Sequence, residues 1–161
     1  MTSDSVKLRP LSECAMQSYF CAGLQFADVI EWAVKQCGVS RLMVSTFSAG
    51  DEFLRRLYRL KQSGAVTHCT LVCDTRAMKK TRLLMSFMSG VVDEVRVAPN
   101  HSKVVLVEGD RMTAAIVTSQ NLTRGNRTEA GVVISDQSAI SAICGDLDIL
   151  LSNSPLIYGT F

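Results

Sequence analysis

Apolar positions along this chain recur with two periods, one near 3.6 residues and one near 2, and their alternation gives the order of elements. Phe26, Val29, Ile30, Ala33, Val34 and Cys37 fall at helical spacing, and Gly38 is well placed to stop that helix. Arg41 to Phe47 is short, branched and followed by Ser-Ala-Gly, which reads as a strand. Asp51 to Gln62 returns to the helical period through Phe53, Leu54, Leu57, Tyr58 and Leu60, and Ser63-Gly64 closes it. His68 to Cys73 predicts a second strand. Residues 77–89 predict a third helix, with Met78, Thr81, Leu84, Met85 and Met88 on one side and the basic residues largely on the other. Asp93 to Val97 predicts a strand ended by Pro99.

Lys103 to Val107 is apolar on both faces, as a central strand should be. Residues 108–111 form a turn, Met112 to Thr118 runs back as a neighbouring strand, and Gly131 to Ile134 predicts another. From Gln137 a final helix carries Ile140, Ile143, Cys144, Leu147 and Leu151 on one stripe. Before all of these, Cys14 to Phe20 reads as a short helix packed on a neighbour. Strands and helices alternate through two-thirds of the chain, and then strands cluster. The pattern predicts one α/β domain over 1–161, a mixed β-sheet with helices on both faces. It contains no linker, low-complexity stretch or internal repeat.

Composition narrows the setting. Apolar residues make up 47% of the chain and aromatics 6%, so the core is built from Val, Leu, Ile and Met. No stretch approaches the roughly 18 apolar residues of a membrane span, and Met1 to Pro10 lacks the apolar core of a signal peptide. The expectation is a soluble cytoplasmic protein without a membrane partner. Six cysteines show no CxxC, and no His or Cys cluster completes a zinc site around Cys69 and Cys73. They read as reduced, mostly buried small apolar residues. The net charge of +2 says little, but basic residues cluster at Arg55, Arg56, Arg59 and Lys61, and at Arg76, Lys79, Lys80 and Arg82. Each cluster reads as a solvated helix face, and as a nucleic-acid footprint only if it flanks a phosphate site.

The chemistry gathers at the head of the most apolar strand. Residues two apart on a strand share a face, so His101 and Lys103 project together, as do Ser119 and Asn121 on the returning segment. If the two segments pair through the turn near Gly109, an imidazole, a fixed positive charge, a hydroxyl and a carboxamide meet in one patch. This set suits a phosphodiester. Imidazole serves as nucleophile or general acid and base near neutral pH. Lysine and the amide N–H₂ stabilise charge on the non-bridging oxygens.

His-Ser-Lys with Glu108 five residues after Lys103, then Thr-Ser-Gln-Asn-Leu-Thr, then Gly-Asn-Arg-Thr-Glu-Ala-Gly-Val-Val-Ile, resembles the phospholipase D superfamily over residues 101–134. The family pattern is HxKxxxxD followed by GSxN, with a Glu just before a closing strand. The resemblance implies a phospholipase D-like fold and a phosphodiesterase. His101 would form a phosphohistidine or act as its acid–base partner, Lys103 and Asn121 would hold the phosphate, and Ser119 would add a hydrogen bond. Glu129 would orient and polarise the imidazole. The chain departs from the pattern at Glu108, where the family has Asp and Asp110 lies close by. It departs again at Thr118, which replaces the first Gly and is expected to bring a Cβ close to the phosphate. The hairpin between the motif pieces is longer than in compact members, and Asn126 sits one position early.

Enzymes of this superfamily join two HxK motifs around one phosphate. Here the other histidine, His68, is followed by Cys-Thr. The resemblance therefore implies a two-fold homodimer in which each copy gives half the site. It implies no cofactor and no metal, in keeping with the lack of metal-ligand spacing. The expected activity is a metal-independent endonuclease on DNA or RNA, with nucleic acid as substrate. Two alternatives stay open: a phospholipid or small phosphodiester hydrolase, and a catalytically inactive nucleic-acid-binding or assembly module of the same fold.

Overall fold

The computed structural model describes residues 7–159, so Met1–Val6 of the polar N-terminal stretch lie outside the described residues. In chain order the elements are β1 (Met16–Cys21), α1 (Phe26–Cys37), β2 (Ser40–Ser45), α2 (Asp51–Gln62), β3 (Val66–Asp74), α3 (Met78–Met88) and β4 (Glu94–Ala98). There follow β5 (Val104–Gly109), β6 (Thr113–Thr118), β7 (Glu129–Ile134), α4 (Gln137–Ser152) and β8 (Leu156–Gly159). A 3-10 turn, Thr75–Ala77, leads into α3. The strands form one mixed sheet in the order β1-β7-β6-β5-β2-β3-β4-β8. Strands β2, β3 and β4 run parallel, and every other pairing is antiparallel.

Burial on both faces explains the continuous apolar runs. Val105 and Val107 of β5 join Leu42, Val44, Leu71 and Ile116 in a core layer completed by Ile30, Leu54 and Met88 from the three earlier helices. Leu106 points the other way and packs with Ala115 against Ile140 and Leu147 of α4. Each of these fully buried branched side chains stabilises the fold by about 1.5–3 kcal/mol relative to exposure. Gly38 ends α1 at φ +89°, where a side chain would collide with the carboxylate of Asp110.

The expected helix over 14–20 is a strand instead. Tyr19 alone is buried on β1, Met16 and Phe20 face outward, and the segment pairs with β7 from Met16↔Ile134 to Cys21↔Glu129. An edge strand with a single inward anchor carries too little periodicity to be read. The four-residue β8 is a second strand that the pattern did not predict. Three cysteines, Cys37, Cys69 and Cys73, are buried and three are half-buried, fewer than expected; all six are free thiols. Burial raises the Cys69 thiol to about 12 and those of Cys37 and Cys73 to about 11.

Three of the four residues of the first basic cluster, all but Arg59, are engaged in ion pairs. Arg56 reaches Asp28 at 2.6 Å and Glu52 at 3.1 Å, Lys61 reaches Asp93 at 2.6 Å, and Arg55 lies 3.6 Å from Asp51. In the second, Lys79, Lys80 and Arg82 are exposed, while Arg76 binds Asp74 at 3.1 Å. No helix among the described residues is long and apolar enough to cross a membrane.

Candidate active site

The C-terminal ends of β2 and β6 lie beside the start of β5, and β6 in turn lies beside the start of β7. Polar groups collect along this one sheet edge. Strand β5 begins at Val104, so His101 and Lys103 occupy the extended segment just before it rather than the strand itself. Their convergence has a local cause. The buried Asn100 donates from Nδ2 to the Ser45 hydroxyl at 2.9 Å and to the Thr46 carbonyl at 3.3 Å. Its Oδ1 accepts from the N–H of Ser102 at 3.0 Å and from its hydroxyl at 2.7 Å. Asp74, at the end of β3, accepts the Asn100 N–H at 2.7 Å. Burial opposes ionisation of Asp74, but the N–H groups of Asn100 and Arg76 and the Arg76 guanidinium outweigh it and hold the carboxyl below its ordinary range.

On this base the Lys103 ammonium lies 3.2 Å from His101 Nδ1 and donates to the His101 carbonyl at 2.7 Å. The imidazole is exposed and leans on Phe47, ring centroids 5.6 Å apart, and the Arg76 guanidinium lies 5.6 Å from the Phe47 ring centre. Lys103 is only 8% exposed. Burial lowers its pKa, and the Glu129 carboxylate offsets part of that.

The pair opens into a cavity of about 370 Å³, within the range of small-ligand clefts. All five residues given a role at the site from the sequence reach it: His101, Lys103, Ser119, Asn121 and Glu129 line its wall. The Ser119 hydroxyl donates to the Glu129 carboxylate, and no hydrogen bond joins Glu129 to His101. The Asn121 carboxamide oxygen is buried without a donor. Such an acceptor costs free energy until something donates to it.

Several site residues were invisible in the sequence because their partners lie about a hundred positions away. Tyr19 donates to Thr118 or Gln120, with Oγ1 at 3.0 Å and Oε1 at 2.9 Å, and Gln120 donates to the Leu24 carbonyl at 2.6 Å. Gln25 clamps the loop after β6, donating to the Gly125 carbonyl at 2.8 Å and accepting its N–H at 3.1 Å. The Tyr19 ring lies against Gly131, where any Cβ would fall 2.4 Å from it. Thr118 does not crowd the cavity as expected. Its hydroxyl donates to the Ala130 carbonyl at 2.9 Å and accepts from Tyr19, and its side chain is absent from the cavity wall.

At the opposite end of β5, Glu108 is exposed, and Asp110 accepts the Val39 N–H at 3.1 Å, fixing the hairpin. His68 is remote from the cavity and sits 3.9 Å from both Asp93 and Glu94. Among the described residues, no three His, Cys, Asp or Glu side chains are grouped to hold a metal ion.

The sequence matches no protein-family model and no curated protein. Solved structures do resemble it. Nuc from Salmonella typhimurium, described as a phospholipase D family member, superposes with a TM-score of 0.66 at 18% identity, over 90% of this chain and 98% of Nuc. NucT from Helicobacter pylori gives 0.65 at 11% identity, over 86% and 98% of the two chains. TrmBL2, an archaeal chromatin protein described as binding DNA, gives 0.60 at 8% identity, over 94% of this chain and 57% of its own. The mixed sheet and its helical layers thus form a phospholipase D-like fold, shared with Nuc and NucT.

Proposed function

We propose that this protein is a phosphodiesterase, a metal-independent endonuclease whose active site is completed by a second copy of the chain. The observation that carries the reading is the meeting of His101 and Lys103 in one polar cavity with Ser119, Asn121 and Glu129. The superposition on Nuc, a phospholipase D family member, supports it. Lys103 and Asn121 bind the non-bridging oxygens of the scissile phosphate, where their donors are strongest as charge develops. Ser119 and Glu129 fix the floor beneath it.

One imidazole attacks phosphorus through Nε2, forming the N–P bond as the P–O bond to the leaving group breaks. The partner's imidazole gives its proton to the leaving oxygen. Water then attacks phosphorus, its proton passing to the partner's imidazole, and the N–P bond breaks to restore both histidines. The attacking ring presents an unprotonated Nε2, while the partner's ring serves as the acid in its imidazolium form, becoming neutral as it gives its proton to the leaving oxygen and imidazolium again as it takes one from water. Of the two histidines in the chain, His68 lies outside the cavity, so the second imidazole comes from a second subunit.

The test is incubation of purified protein with labelled single- and double-stranded DNA and RNA in EDTA, with sedimentation of the same sample. Cleavage in EDTA by a dimer, abolished by His101→Ala or Lys103→Ala, is expected. Full activity of His101→Ala would refute the assignment. A second reading, nucleic-acid binding without cleavage, is favoured by the likeness to TrmBL2 and by the missing Glu129–His101 contact. It predicts salt-sensitive binding by a protein that cuts nothing.

A further inference from the structure

We infer that Arg124 and Arg127, on the loop between β6 and β7, form a second anion site beside the first. They hold phosphates flanking the scissile one, so the cavity takes a chain of phosphodiesters rather than an isolated one. The inference rests on the reading of the cavity as a phosphodiester site.

Charge counting leads to it. The ionised groups on the cavity wall are Lys103, Arg124, Arg127 and Glu129. Lys103 and Glu129 offset one another, and a single diester brings one negative charge. Two arginines then remain, twice what that one phosphate requires. Nor is either held in a close ion pair elsewhere among the described residues. Arg55, Arg56, Arg76 and Arg96 each lie within 3.6 Å of a carboxylate, whereas Arg124 lies 4.0 Å from Glu52 with its side chain 82% exposed. Arg127 is exposed and makes no ion pair among the described residues.

The loop beneath them is built, not slack. Gln25 holds Gly125 by both its N–H and its carbonyl. Leu122 is buried at 3% exposure, pairs with Ala49, and accepts the Gly50 N–H at 2.8 Å. The two guanidinium groups therefore stand on a fixed rim rather than a free tail, and guanidinium is the side chain that binds phosphate in fork geometry. Phosphate contacts of this kind position a nucleic-acid strand without reading its sequence. A phospholipid or other small diester has no second backbone phosphate to offer.

The test compares two substrates and one binding measurement. Wild type, Arg124→Ala/Arg127→Ala and a control, Lys79→Ala/Lys80→Ala on the exposed face of α3, are assayed on a fluorescent single-stranded oligonucleotide and on bis(p-nitrophenyl) phosphate. The arginine double variant should lose about ten-fold or more in kcat/KM on the oligonucleotide per arginine removed, and far less on the single diester. Oligonucleotide binding by anisotropy in the His101→Ala background should show a log–log salt slope shallower by about 0.7 per arginine removed. Equal losses on both substrates, an equal effect of the lysine control, or an unchanged salt slope overturns the second site. Arginine-dependent binding by a wild type that cleaves neither substrate sinks the phosphodiesterase reading and leaves the arginine site standing. Cleavage indifferent to the arginines does the reverse.

Discussion

Replacing Asn100 with Ala tests whether the His101–Lys103 pair is held by a buried carboxamide. The side chain makes contacts with Ser45, Thr46, Val72 and Ser102. Part of the loss is cushioned. The Ser45 and Ser102 hydroxyls remain 2.5 Å apart, and the Val72 carbonyl keeps the Thr46 N–H at 3.0 Å. The Thr46 carbonyl and the Ser102 N–H lose the partner they have here. A stranded buried polar group costs about 1–3 kcal/mol, so the buried Thr46 carbonyl should cost about that much, while the N–H of the exposed Ser102 can turn to water and adds little. For a chain of this size that lowers Tm by roughly 2–12 °C. Thermal or urea unfolding measures it, and a double-mutant cycle with Ser102→Ala should give a coupling of about 0.5–3 kcal/mol. The same variant, assayed well below its Tm, should lose about 100-fold in rate, the usual consequence of a 1 Å misplacement of reacting groups. A Tm within about 2 °C of wild type, with cleavage unimpaired, would show that His101 is positioned by something else.

Two further outcomes follow from the titrating groups. Lys103 has a depressed folded pKa, so the folded protein releases this proton before the unfolded chain does. The penalty on stability is complete at lower pH and is relieved as pH rises through the folded value toward 10.5. Phosphate binding disappears over the same window, so the alkaline limb of kcat/KM should fall below the range of an exposed lysine. Lys103→Arg should remove that limb, and a limb that stays in place excludes Lys103 as its source. The six thiols should divide in two under a thiol reagent: Cys37, Cys69 and Cys73 stay silent in the native state and react only on unfolding. Rapid native labelling of Cys69 would contradict its burial.

Helices α1 and α2 were legible because each buries one stripe; they run over Phe26–Cys37 and Asp51–Gln62, the spans that the apolar spacing and the stops at Gly38 and Ser63-Gly64 predict. The site residues were legible as a set, since His101, Lys103, Ser119, Asn121 and Glu129 share one wall. Their support was not. Asn100 sits beside Pro99 in a turn with no periodicity, and Tyr19 gives β1 its only inward anchor. Thr118 looked like an obstruction because its true neighbour, Tyr19, belongs to a segment read as helix. Hydrogen bonds spanning a hundred residues leave no local pattern, and hydrophobic spacing reports only local pattern.

Strand β1 is made long before the strand it pairs with. Residues 16–21, whose Met16 and Phe20 stay outward in the folded sheet, have β7 as their one partner strand among the described residues, and it starts at Glu129. While the residues between Cys21 and Glu129 are being made, an unpaired edge bearing apolar side chains is open to other nascent chains. Slow translation ahead of residue 129, or scarce chaperone, should therefore show itself as inclusion bodies rather than as a folded protein of low activity.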